Sequence, residues 1–268
     1  MMQKRFSKAH TVQPSITRKH FIATTLAGLG STYLSLSPLT FLQNGSEKIK
    51  AIAFDAFVIF NPQPVFNLVT QIYPDKGAEL IKLWRTKQFE YSWLRTAAGK
   101  YKNFWEVTAD ALVFSANALG VSLSTDHKKQ LIGQYLSLDL WPDVLPALQQ
   151  LKQKGLRLSF LSNMTTDMLT SCMTHTKIET YFEKVISTDL AETYKPDPKA
   201  YRLGMDAIKL AKEEILFVAF AGWDASGSKW FGYPTFWMNR LQSPAEELNV
   251  IPDAEGKTLS DVVSFLNQ

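Results

Sequence analysis

Five short apolar runs recur along the chain, and stretches of helical periodicity separate most of them. They fall at residues 49–56 (IKAIAFDA), 156–163 (LRLSFLSN), 184–188 (KVIST), 215–221 (ILFVAFA) and 234–239 (PTFWMN). Runs this continuous suit strands covered on both faces, because a strand with one wet face would alternate apolar and polar residues. One intervening helix is marked by PDVLPALQQLKQKG, with Pro142 near its start and Gly155 as C-cap. Alternating strands and helices predict an α/β fold with a doubly wound parallel sheet.

Residues 62–140 break the rhythm. They contain helical patterns at roughly 75–98, 103–119 and 125–137 and no strand-like run. A helical insertion after the first strand predicts a smaller second domain over the carboxyl edge of the sheet, where open α/β sheets bind ligands. The organisation expected is a leader over 1–46, a core domain from 47–61 and 141–268, and a helical cap over 62–140.

Charge is unevenly distributed. Lys4, Arg5, Lys8, Arg18 and Lys19 are five of the 29 bases, and no acid precedes Glu47. The remainder therefore carries 24 bases against 25 acids, a net of −1 where the whole chain has +4. That balance gives no support to a nucleic-acid surface. The single cysteine, Cys172, excludes an internal disulfide and a cysteine-rich metal site and reads as a small core filler.

The basic stretch precedes FIATTLAGLGSTYLSLSPLTFLQ, the pattern of an export signal. ITRKHFIATT resembles a twin-arginine signal, with Arg18-Lys19 where two arginines are usual. The expectation is export to the periplasm or cell envelope; a membrane anchor and a plain extension on a cytoplasmic protein are the alternatives. Hydroxyls, glycines and Pro38 make the segment a poor spanning helix, so no stable membrane span is expected.

Polar residues gather near the predicted strand ends: Asp55 after the first, Ser162 and Asn163 after the second, Lys195 after the third, Asp224 after the fourth. Singly, each reads as a cap or turn former, as Thr165 does ahead of the next helix. Together, in this order, they point to chemistry, because a carboxylate delivered by a buried strand is costly unless paired or used.

This set resembles the haloacid dehalogenase superfamily. LWRTKQFEYSWLR (83–95) in the insertion, with LSN, YKPDPKAY and LFVAFAGWDASGSKWFGYPTFWMNR (216–240), brings it close to the L-2-haloacid dehalogenases, type II. Phosphatases of the superfamily carry a second acid two residues after the nucleophile, where Phe57 stands here, and further acids for Mg²⁺, where this chain offers only Asp224. The resemblance therefore implies dehalogenation, with no cofactor or metal and with a small 2-haloacid and water as partners; a homodimer is a further expectation.

The implied mechanism is covalent. Asp55 attacks C2 of an (S)-2-haloacid, displaces halide with inversion, and water hydrolyses the resulting aspartyl ester. The resemblance makes Lys195 the charge that keeps Asp55 ionised and Arg85 the halide acceptor, with Asn163 and Phe104 beside it. It gives Ser162 the substrate carboxylate, Trp223 a place in the substrate site, Tyr201 the orientation of Lys195, and Asp224 the hydrolytic water. Trp84, Phe89, Tyr91 and Trp93 read as packing within the insertion, and His127 and His175 as surface residues.

Three positions depart from the family. Ile59 replaces a threonine, and Ala219 and Ala221 replace a serine and an asparagine that hydrogen-bond the nucleophile, the lysine and the water. Each lost bond is worth about 1–3 kcal/mol, or roughly 5- to 150-fold in rate. The alternative to a haloacid hydrolase is thus a catalytically silent binding protein that keeps the pocket. A phosphatase is disfavoured by Phe57.

Overall fold

In the computed structural model, residues 49–268 are described; the leader expected over 1–46 lies outside the described residues. The first strand, β1 (Ala51–Phe54), is buried throughout and delivers Asp55 to the N-cap of a short helix α1 (Ala56–Ile59). The chain then leaves the sheet through β2 (Phe60–Asn61) and four helices, α2 (Gln63–Ile72), α3 (Gly77–Ala98), α4 (Phe104–Ala118) and α5 (Thr125–Gly133), and returns through β3 (Asp139–Leu140). β2 and β3 pair antiparallel, so the insertion departs and re-enters side by side.

The rest of the chain runs α6 (Val144–Gln153), β4 (Arg157–Ser162), α7 (Thr166–Thr176), β5 (Lys184–Ser187), α8 (Pro198–Ile208), β6 (Ile215–Ala219), α9 (Gly222–Phe231), β7 (Thr235–Met238), β8 (Ala254–Gly256) and α10 (Leu259–Phe265). The main sheet has the order β5-β4-β1-β6-β7-β8, and every pairing is parallel. The doubly wound α/β architecture expected from the sequence is the one observed.

The continuous apolar runs are explained by two cores, one on each face. Ile52, Phe54, Leu158, Phe160, Leu216 and Val218 join one cluster, while Ala51, Ala53, Leu161, Phe217 and Ala219 join the other. Successive residues alternate between faces, and both faces are dry. Cys172 is buried as expected, and Thr165 caps α7 by accepting from Met168 N at 3.2 Å.

The insertion is not wholly helical. β2 and β3 were not foreseen, because two-residue strands carry no periodicity to read. The sixth strand of the main sheet, β8, was also missed: Ala-Glu-Gly has no apolar run and lies at an edge. α2 was also unassigned; Pro62 stands at its N-cap and Pro64 in its first turn, where an N–H is dispensable. Among the described residues no helix is long and apolar enough to cross a membrane.

Candidate active site

The strand ends converge on one buried cluster. Asp55 Oδ2 accepts from Phe57 N at 3.0 Å, so the turn that ends β1 fixes the carboxylate. Its other oxygen, Oδ1, accepts from Lys195 Nζ at 2.8 Å. The same ammonium donates to Asp224 Oδ2 at 2.5 Å, and Asp224 Oδ1 accepts from the Tyr201 hydroxyl at 2.7 Å. Lys195 is completely buried and also lies over the Phe217 ring, 4.9 Å from its centroid.

Electrostatics follow from the geometry. Burial pulls the Lys195 ammonium down, but the charges of Asp224 and Asp55 outweigh it, and its pKa lies above the ordinary lysine value. Burial drives the Asp224 carboxyl upward, Lys195 opposes this, and Asp55 adds to it, leaving Asp224 at about 6. Tyr201 is held well above its usual range by burial and by the Asp224 charge. One cation therefore serves two carboxylates.

The backbone holding Lys195 is itself clamped. Asn163 Oδ1 accepts from Lys195 N at 3.0 Å and from Thr188 Oγ1 at 3.2 Å, leaving the Asn163 amide donors for the cavity that it lines. Trp93 Nε1, from the insertion, donates to the Lys195 carbonyl at 3.2 Å. Ser162 Oγ accepts from Met164 N at 3.2 Å and also lines the cavity.

Above Asp55 lies a cavity of about 290 Å³. Arg85, on α3, reaches it half-buried, with its guanidinium 5.2 Å from the Phe66 ring centroid and no carboxylate partner among the described residues. Phe104 and Trp223 line it too. The structure thus brings Asp55, Arg85, Phe104, Ser162, Asn163, Trp223 and Asp224 to one cavity, with Lys195 directly beneath.

Several expectations need correction. Tyr201 does not line the cavity, and its hydroxyl donates to Asp224 at 2.7 Å rather than meeting Lys195 directly, so it acts on the lysine through the carboxylate that holds it. Phe89 and Trp93 are not mere packing: they line the cavity and meet Trp223 at centroid distances of 5.5 and 5.4 Å. Trp84 and Tyr91 do pack, Trp84 donating to the Thr108 carbonyl and Tyr91 meeting Phe114. His127 is half-buried rather than on the surface, its Nδ1 3.1 Å from the Tyr73 hydroxyl, whereas His175 is exposed.

Of the three departures, Ile59 and Ala219 are fully buried, and Ala221 lines the cavity at the N-cap of α9 with only a methyl group to offer. The sequence reading also missed a brace behind the nucleophile. Trp141 Nε1 donates to the Phe57 carbonyl at 3.0 Å, and Arg240 donates to the Val58 carbonyl at 2.9 Å while paired with Asp143 at 2.8 Å. The Asn-Arg that ends the fifth apolar run was the available signal. Among the described residues no group of three or more His, Cys, Asp and Glu side chains is arranged to hold a metal ion.

Comparison with known proteins agrees with this geometry. The family model for haloacid dehalogenase-like hydrolases matches residues 49–232. Haloacetate dehalogenase H-2 of Moraxella sp. (strain B) is 38% identical over 221 residues, 82% of this chain and 99% of its own length. The (S)-2-haloacid dehalogenase of Pseudomonas sp. (strain YL) is 38% identical over 81% of this chain and 94% of its own. Among solved structures, the L-2-haloacid dehalogenase of Xanthobacter autotrophicus with chloropropionic acid covalently bound superposes with a TM-score of 0.76 at 30% identity, covering 82% of this chain and 98% of that one.

Proposed function

The chain belongs to the haloacid dehalogenase-like hydrolases, and we propose that it hydrolyses the carbon–halogen bond of (S)-2-haloacids through an ester on Asp55. The observation that carries this reading is Lys195 bridging Asp55 and Asp224 at the floor of a cavity that Arg85 enters from above.

An Asp55 oxygen attacks C2 as the carbon–halogen bond breaks, and the halide leaves toward Arg85 and the Asn163 amide. Ser162 and the backbone donors near it take the substrate carboxylate. Water then adds to the Asp55 carbonyl carbon; one of its protons passes to Asp224, whose raised pKa suits a base near neutrality. The ester C–O bond breaks, and the departing alkoxide takes the second water proton and leaves as the 2-hydroxyacid. Asp55 keeps the oxygen from water as a carboxylate, and the proton on Asp224 is released to solvent. Tyr201 fixes Asp224 for this step.

Single turnover in ¹⁸O water tests the reading: label is expected in Asp55, and label confined to the hydroxyacid would mean direct attack by water. Because Phe57 stands where a phosphatase has its acid, EDTA is expected to leave halide release unchanged. Ala219 and Ala221 favour slow hydrolysis of the ester, so a burst of halide followed by slower turnover is expected. A silent binding protein would release none. The acid-free basic leader supports export to the periplasm or envelope, which cell fractionation tests.

A further inference from the structure

The cavity is larger than the smallest haloacids need. The volume of about 290 Å³ is several times the roughly 30 Å³ that a water takes up in the liquid, more than the few heavy atoms of a haloacetate fill. The groups that bind charge stand together: Asp55, Arg85, Ser162 and Asn163. Beyond them the lining changes. Ala221 and Gly222 are too small to close the space, and Trp223, Trp237, Leu241 and Pro244 give it a mainly apolar lining, interrupted by Asn239, Ser243 and Glu246. A methyl built on Gly222 would lie 3.4 Å from the Trp237 ring and 3.0 Å from Glu246 Cγ, so these residues adjoin. Leu241 is 56% exposed, which marks this end as the mouth.

We propose that this outer end is a substituent subsite, and that the preferred substrates are 2-haloacids bearing an extended apolar group on C2, alkyl or benzyl of about four to seven carbons. The aromatic and aliphatic side chains give such a group an apolar surface. Glu246 at the same end repels a second carboxylate, so diacids are excluded. The reaction named rests on the dehalogenase reading; the shape and polarity of the subsite do not.

Binding therefore tests it independently of turnover. Titration calorimetry on the full chain with glycolate, (R)-2-hydroxyhexanoate and (R)-3-phenyllactate is expected to give affinities rising from the first to the other two by at least tenfold, since each buried methylene is worth roughly fourfold. Ala221→Leu, which adds bulk to the lining, is expected to remove that gain. Leu241→Glu, at an exposed position that does not threaten folding, is expected to reduce it as well. Equal affinities in the wild type, or a gain untouched by both variants, would overturn the subsite.

Halide release from bromoacetate, 2-bromohexanoate and 2-bromo-3-phenylpropionate separates the two readings. No halide from any acid, with the binding order intact, would remove the dehalogenase reading and leave the subsite. Halide released fastest from bromoacetate, with no binding gain for the larger acids, would do the reverse.

Discussion

The sheet edge supplies Asp55, Lys195 and Asp224, all more than nine-tenths buried and joined by ion pairs of 2.8 and 2.5 Å, whereas the insertion supplies Arg85, Phe89 and Trp93, half-buried or exposed and held chiefly by ring contacts. The floor is costly to build. A buried charge needs a partner at every step, and each partner constrains the next. The roof is cheap, because aromatic faces tolerate small shifts and replacements. The difference assigns chemistry to the floor and fit to the roof, and the two should fail in different ways.

The largest effect is expected at Asp55. Asp55→Asn keeps the shape and removes the nucleophile, so halide release should fall by about 10³-fold or more. Measurable turnover with normal kcat and raised KM would mean that the floor, like the roof, serves fit alone. Next comes Lys195→Met. It strands two carboxylates together out of water, a loss of about 3–5 kcal/mol in stability measured by urea unfolding. A stability equal to that of the wild type would mean that the floor relaxes as easily as the roof.

Asp224 sharpens the comparison through pH. Its carboxyl lies at about 6 in the folded protein and near 3.8 otherwise, raised first by burial. Between those values the folded state keeps a proton that the unfolded chain releases. Asp224 thus contributes stability that is complete below about pH 4 and is lost as pH rises through about 6. Asp224→Asn should remove that loss, so its stability relative to the wild type should improve by about 2 kcal/mol from pH 4 to pH 6.5. Parallel profiles for the two proteins would place the proton elsewhere.

The same contrast explains what could be read in the sequence. Asp55, Ser162, Asn163, Lys195 and Asp224 were legible only together, because each alone could be a cap or turn former while their order near successive strand ends matches a family pattern. Tyr201 was found, but its partner was not: adjacency in a motif does not say which of two neighbouring charged groups a hydroxyl reaches. Phe89 and Trp93 were illegible as site residues, since an aromatic on a helix looks the same whether it faces a core or a cavity. The β2–β3 ribbon and β8 escaped because pairing of two or three residues is decided by the partner strand rather than by local pattern. The parallel sheet was visible because its strands are buried on both faces.

The smallest effect is expected where roof and floor touch. Trp93 Nε1 donates to the Lys195 carbonyl at 3.2 Å, and the indole is 39% exposed, so water can replace part of that bond. Trp93→Phe keeps the ring contacts with Phe89 and Trp223 and loses only the donor. A neutral hydrogen bond is worth about 1 kcal/mol, or roughly fivefold. Because Lys195 remains clamped by Asn163 and both carboxylates, its ammonium should not move. KM for a 2-bromoacid should therefore rise up to about fivefold while kcat and the acid limb of its pH profile stay in place. If the pH profile moves instead, the indole is setting the ionisation of the floor through the Lys195 backbone, and the division between a roof that fits and a floor that reacts does not hold at this residue.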